Sequence, residues 1–190
     1  MSSVAGVEIA RRAIFLDRDG VLNRAVVRNG RPYPPVRIED FELYDDAVAG
    51  CARLKAADFL LVVITNQPDV GRRTQTREMV EAMHLKLRSA IPSIDRIEVC
   101  YHAGEQHGEP CECRKPRPGM ILRAAAELNV DLPASYVIGD RWRDVDCARA
   151  ASCRAIFIDR GYEEKLRERP DFTVANFNDA VDTILRDARG

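Results

Sequence analysis

The chain predicts a three-layer α/β fold, Rossmann-like, built on a mainly parallel sheet, and three observations lead there. Short continuous apolar runs alternate along the sequence with segments of helical periodicity. The runs are apolar throughout rather than at every second residue, as expected of strands covered on both faces. Three of them end in polar clusters, and in open parallel sheets ligands bind beyond the carboxyl ends of the strands. A βαβ alternation of this kind places helices on both faces of one sheet.

The elements follow in order. Ala13-Ile14-Phe15-Leu16 is a first strand that runs straight into acidic residues. Asn23 to Phe41, with Pro32, Pro34 and Pro35, reads as a long loop near that strand's end. Ala47, Val48, Cys51 and Leu54 recur at helical spacing, and Phe59 to Ile64 is a longer apolar strand. Met79, Val80, Met83 and Leu87 mark the next helix, and Ile97 to Tyr101 the next strand. Pro118 suits the first turn of a helix through Ile121, Ala124, Ala125 and Leu128, since that position needs no backbone N–H. Tyr136 to Ile138 and Ala155 to Ile158 are two more strands, and Ala180, Val181, Ile184 and Leu185 form a closing helix. Without a repeat or a clear linker, the 190 residues predict one domain, 1–190, with a sizeable core.

An apolar fraction of 46% with 31% charged residues fits a soluble globular protein. The net charge of −1 argues against an electrostatic grip on nucleic acid or an anionic membrane. Basic residues do gather locally, at Arg114, Lys115 and Arg117 and at Arg141 and Arg143, which suits a small anionic ligand. The N-terminus MSSVAGVEIARRAIFLD has no signal-peptide apolar region, and its first apolar run is too short to span a bilayer. A cytoplasmic location with reduced cysteines is therefore expected. Of the six cysteines, Cys51, Cys147 and Cys153 lie in apolar patterns and read as core. The other three crowd into CYHAGEQHGEPCECRK, from Cys100 to Lys115, with two of the three histidines, which points to metal rather than disulfides.

Four clusters carry the chemistry. Asp17-Arg18-Asp19-Gly20-Val21-Leu22-Asn23 places two carboxylates one residue apart at a buried strand's exit. They can divide the work of nucleophile and general acid/base, the nucleophile forming a covalent acyl-phosphate. Ile64-Thr65-Asn66-Gln67 offers a hydroxyl and amide donors at a second strand end. Cys113-Arg114-Lys115-Pro116 brings a lysine for phosphoryl charge and an arginine fork for a second anionic or hydroxylated group. Ile138-Gly139-Asp140-Arg141-Trp142-Arg143-Asp144 gives an acid directly after a strand, suited to Mg²⁺. Asp144 also suits a helix N-terminus, whose dipole it would complement.

These four motifs, DRDGVLN, ITNQ, RKP and GDRWRD, stand in the order and spacing of the haloacid dehalogenase-like (HAD) phosphohydrolases, which the chain resembles from about Ala13 to about Gly161. It looks most like their small branch of heptose bisphosphate and histidinol-phosphate phosphatases. The resemblance implies a phosphomonoester hydrolase without a separate cap domain. Its expected substrate is a small phosphorylated sugar, foremost the 7-phosphate of D-glycero-D-manno-heptose 1,7-bisphosphate, and its expected state a monomer. Carried over by position, Asp17 is the nucleophile and Asp19 the acid/base, and Thr65 and Lys115 stabilise the phosphoryl group. Asp17, the backbone carbonyl of Asp19 and Asp140 hold Mg²⁺, while Asn66, Gln67, Arg114 and Arg141 contact substrate.

Cys100-x-His102, eight residues, then Cys111-x-Cys113 supplies a three-cysteine, one-histidine set suited to a structural Zn²⁺. His107 could compete with His102. The branch resembled places its histidine two residues after the first cysteine, which favours His102 in a zinc loop spanning 100–113. Such a loop would set the position of Arg114 and Lys115. Two features depart from the heptose pattern. Pro68-Asp69-Val70-Gly71-Arg72-Arg73 stands where Ser-Gly-Ile-Ala-Arg-Gly is common, and the segment between His102 and Cys111 is shorter than in some members.

Overall fold

The computed structural model describes residues 10–189. Residues 1–9, which hold most of the N-terminal stretch considered for a leader, lie outside the described residues. The elements in chain order are β1 (Ala13–Leu16), β2 (Val26–Arg28), β3 (Arg31–Tyr33), α1 (Ala47–Ala56), β4 (Leu60–Asn66), α2 (Pro68–Gly71), α3 (Arg77–Ala90) and β5 (Arg96–Cys100). They continue with α4 (Gly119–Leu128), β6 (Tyr136–Gly139), α5 (Trp142–Ala150), β7 (Arg154–Ile158), β8 (Phe172–Val174) and α6 (Phe177–Asp187). Among the described residues no helix is long and apolar enough to cross a membrane.

Six strands form one parallel sheet in the order β5-β4-β1-β6-β7-β8. Successive residues of a strand point to opposite faces, so each continuous apolar run feeds two cores. Ile14, Leu16, Leu61, Val63 and Ile138 pack with Cys51, Leu54, Met83, Leu87, Val181 and Ile184 from α1, α3 and α6. Ala13, Phe15, Leu60, Val62 and Val137 pack with Met120, Ile121, Ala124 and Val145 from α4 and α5. This is the expected three-layer arrangement. The chain order runs outward from β1 to β4 and β5, then returns to β1's other side at β6. The carboxyl ends of β1 and β6 therefore flank the switch point where ligands bind in such sheets.

The segment from Asn23 to Phe41 is more ordered than the long loop its prolines suggest. β2 and β3 pair antiparallel, with Val27 opposite Pro32 and a turn at Asn29-Gly30. Both turn residues take positive φ, 49° and 67°, as the tight Asn-Gly hairpin turn requires. Pro32 is tolerated because the ribbon has only two strands, leaving each strand an open edge. Two other elements lie beyond the sequence reading. β8 is a three-residue, partly exposed edge strand, and α2 is a single turn. β4 also runs past Ile64, so Thr65 and Asn66 end the strand itself.

Phe41, at the far end of that segment, is fully buried against the first core. Phe41→Ala should lower unfolding free energy by about 3–5 kcal/mol in urea titrations, the usual cost of emptying an aromatic site.

Candidate active site

Asp17 is the first residue past β1, and its N–H donates to the Ile138 carbonyl of β6 at 2.9 Å. One of its carboxylate oxygens, Oδ1, accepts from the Arg18 N–H at 2.7 Å and meets Lys115 Nζ at 2.9 Å. The ammonium also contacts Asp144 Oδ1 at 2.6 Å and donates to the Ile64 carbonyl at 2.9 Å. Three partners thus match its three N–H donors. The Lys115 backbone is clamped by one side chain: Asn66 Nδ2 donates to its carbonyl and Asn66 Oδ1 accepts from its N–H, both at 3.1 Å. Asn66, expected to touch substrate, lines the cleft and in addition holds the lysine in place.

Asp140, just beyond β6, is buried, and neither of its carboxylate oxygens has a hydrogen bond of good geometry, the Tyr162 hydroxyl being the donor nearby. Gly20 makes room for it. At φ +90° a Cβ on Gly20 would lie 1.7 Å from Asp140 Oδ2, so only glycine satisfies both the backbone and the space. Asp144, left by the sequence between cap and site, serves as both. Its Oδ2 accepts from the Arg141 N–H at the start of α5, and its other oxygen holds Lys115.

Asp17, Asp140 and Asp144 each bring an oxygen within 4.8 Å of the others. Burial, partly offset by Lys115, pushes the Asp17 carboxyl up to about 6, with Asp144 and Asp19 adding to the rise. Burial, with Asp17 and Asp144 adding to it, raises Asp140 well above the usual carboxylate range. For Lys115, burial is outweighed by Asp144 and Asp17, so its ammonium is held above its ordinary value. Three buried acids against one lysine leave an excess of negative charge, and the oxygens of Asp140 face it. That donor set fits a hard divalent cation.

Asp19 is gripped from three sides. Arg18 donates from Nε and Nη2 to its carboxylate at 3.0–3.1 Å, Asn23 Nδ2 at 2.9 Å and Gln67 Nε2 at 2.9 Å. Gln67 is buried and its amide also reaches Thr65 Oγ1 at 2.9 Å, so it organises two site residues.

Cys100, His102, Cys111 and Cys113 converge, while His107 lies exposed on the loop. Cys100 Sγ is 3.7 Å from Cys111 Sγ and 3.5 Å from His102 Nδ1, and His102 Nδ1 is 3.2 Å from Cys113 Sγ. A tetrahedron with metal–sulfur bonds of about 2.3 Å has edges of about 3.8 Å. The four atoms therefore already stand at near-ligand spacing. The turn α2 packs on the root of this loop. A Cβ on Gly71 would lie 2.5 Å from Tyr101 O and Ala103 N, and Arg72 Nε donates to Ala103 O at 3.2 Å. The departure at Pro68–Arg73 is thus a docking contact for the loop. The remaining cysteines, Cys51, Cys147 and Cys153, are buried in the cores, as their patterns implied, and burial pushes each thiol up to about 12.

The cleft above Asp17 is floored by Lys115 and walled by the β2–β3 hairpin and by arginines. Arg141 lines it with its fork held by Glu164. Arg114 Nη1 and Arg143 Nε are buried there without partners. Burial and the nearby Arg141 charge depress the Arg143 guanidinium. In the sequence Arg143 stands out only as part of a basic cluster. Its neighbourhood to Asp140 in sequence was the signal, because residues just beyond a switch-point strand face the ligand.

The chain matches a family model described as HAD-hydrolase-like over residues 112–180. It is 39% identical over 148 residues to the D-glycero-beta-D-manno-heptose-1,7-bisphosphate 7-phosphatase of Yersinia pestis, covering 74% of this chain and 76% of that one. The enzyme of that name from Escherichia coli (strain K12) is 37% identical over 148 residues, covering 74% of each. The crystal structure of D,D-heptose 1.7-bisphosphate phosphatase from B. bronchiseptica, complexed with magnesium and phosphate, aligns with a TM-score of 0.79 at 27% identity. That alignment covers 93% of this chain and 99% of the other.

Gly20→Ala should cost about 2 kcal/mol or more of stability, from backbone strain and the clash with Asp140. The loss of activity should exceed what the unfolded fraction explains, as denaturation curves and initial rates on one preparation will show.

Proposed function

The chain belongs to the family of these heptose-bisphosphate phosphatases, within the HAD-like hydrolases, and from that premise we propose that it removes the 7-phosphate of D-glycero-β-D-manno-heptose 1,7-bisphosphate. The observation that carries the reading is the Asp17–Lys115 contact at 2.9 Å beside the buried oxygens of Asp140. It combines a nucleophile, a fixed positive charge and a cation site at one strand-end crevice.

Asp17 attacks phosphorus, forming an aspartyl-phosphate as the P–O bond to the sugar breaks. Asp19 gives its proton to the departing sugar oxygen. Water then attacks phosphorus, loses a proton to Asp19, and releases inorganic phosphate and free Asp17. The Lys115 charge stabilises the phosphoryl group from where its three contacts hold it, and the Thr65 hydroxyl donates to a phosphoryl oxygen. Asp17, Asp140 and the Asp19 backbone carbonyl would hold Mg²⁺, with Asp144 beside them, and the ion supplies charge neutralisation between carboxylate and phosphate. Cys100, His102, Cys111 and Cys113 would hold a structural Zn²⁺ that keeps the following Arg114-Lys115 pair in place. The reaction is assigned to a cytoplasmic monomer.

The uncompensated Arg114 and Arg143 suit a substrate with a second phosphate. Histidinol phosphate, the other reading, would place a cationic amine among these arginines. A phosphate-release screen should therefore rank the β-heptose bisphosphate first. It should lead the α anomer, histidinol phosphate and sugar monophosphates by more than about a hundredfold in kcat/KM, roughly 2.7 kcal/mol. Asp17→Asn should abolish release on every substrate while keeping the fold. A preference for histidinol phosphate would overturn the substrate assignment.

Metal linkage gives a second test. In the metal-free protein Asp17 titrates near 6 and Asp140 is raised too, so the folded state binds more protons than the unfolded chain just below that pH. The stability these groups lend is lost as pH rises through about 6, and a cation restores it. The rise in melting temperature on adding Mg²⁺ should accordingly be larger at pH 7.5 than at pH 5. About one zinc per chain should remain bound through both measurements.

A further inference from the structure

Behind Asp19 two buried polar groups, Arg18 and His84, lead out to the exposed Glu81, and the reaction above uses none of them. Arg18 is fully buried, although it stands between two acids at a strand end. Neighbouring side chains in an extended segment ordinarily diverge, yet the Arg18 fork curls onto Asp19. What faces its remaining end is His84, from the buried side of α3, with Nε2 3.2 Å from Arg18 Nη1. A guanidinium only donates, so Nε2 accepts and the imidazole proton sits on Nδ1. There it faces Glu81 Oε2 at 3.5 Å. Burial and the Arg18 charge depress the imidazole to about 4, which keeps it neutral and able to accept. Glu81 in turn accepts from the Tyr101 hydroxyl, between Cys100 and His102. The Phe41 ring, 5.4 Å from the guanidinium, flanks Arg18.

We propose that His84 is a positioning residue for the acid/base: its Nε2 orients the buried Arg18 fork, and the fork holds the Asp19 carboxylate toward the leaving group. The line continues through Glu81 to Tyr101, so the root of the cysteine-rich loop bears on Asp19 as well as on Lys115. The inference rests on Asp19 being the acid/base.

Three variants in the full-length, metal-loaded protein test it, each assayed for kcat/KM on the heptose bisphosphate and on 4-nitrophenyl phosphate. The nitrophenolate departs without a proton, and kcat/KM reports only steps through its departure, so a misplaced acid harms the sugar substrate selectively. His84→Met fills the space with only a weak sulfur acceptor, and His84→Gln supplies an amide oxygen to Arg18. His84→Met should lose about tenfold or more on the sugar bisphosphate and less than about threefold on the nitrophenyl ester, and His84→Gln should recover most of the loss. Equal losses on both substrates at matched melting temperature, or no loss at all, would overturn the proposal. Asp19→Asn should show the same selectivity more strongly. If it loses both substrates equally, the acid/base reading of Asp19 fails, independently of His84.

Discussion

The site depends on one buried ammonium. Lys115 reaches from the loop after β5 to Asp17 beyond β1, to Asp144 on the first turn of α5, and to the Ile64 carbonyl within β4. A single side chain thus ties together the ends of three neighbouring strands and the helix after the fourth. Its desolvation is offset only because every N–H has an oxygen partner, and removing one partner of such a pair typically costs about 3–5 kcal/mol. The same geometry that steadies the fold places positive charge beside Asp17. Structure and the proposed catalysis use one set of contacts.

The carboxylates around that lysine are held against their own chemistry. Burial raises Asp17 and Asp140, and repulsion from neighbouring carboxylates, Asp144 in both cases, raises them further. A sheet stabilised for its own sake would not collect three acids at its switch point. Gly20 sharpens the point, because a tight positive-φ turn is retained where any side chain would displace Asp140. On the proposed reading, a cation and a phosphate would neutralise that charge. The resting site is poised for ligands rather than for stability.

What was legible in the sequence follows from how many constraints each residue obeys. β1, β4 and β6 are covered on both faces and so read as unbroken apolar runs. Asp17, Asp19, Asp140 and Lys115 stand at strand ends or beside the cysteines, where polar residues interrupt an otherwise plain pattern. His84 carries no such mark, since a histidine on the apolar side of α3 looks like core until its partner is seen. Arg18 between two acids looks solvated, and only the packing of Phe41 and α3 shows that it is buried. The β2–β3 hairpin was masked by Pro32 even though Asn29-Gly30 signals its turn. β8 is too short and too exposed to have a periodicity. Asp144 had one sufficient local explanation, the helix start, which hid its second role.

A small α/β domain with short insertions must fix long loops with little core beneath them. Here the loops are fixed by discrete contacts as well as by burial such as that of Phe41. The hairpin is tied through Arg141 to Pro32 and Glu164, and the turn α2 through Gly71 and Arg72 to the backbone of 101–103. The cysteine-rich loop brings four ligand atoms to metal spacing and ends two residues before Lys115. These contacts all terminate on groups that face the cleft or position one that does. A shift of about 1 Å in any of them is enough to move a group of the proposed active site out of register. Loop anchoring is therefore where the walls of the cleft can change while Asp17, Asp19 and Lys115 stay in place, and Pro68–Arg73 lies at such an anchor.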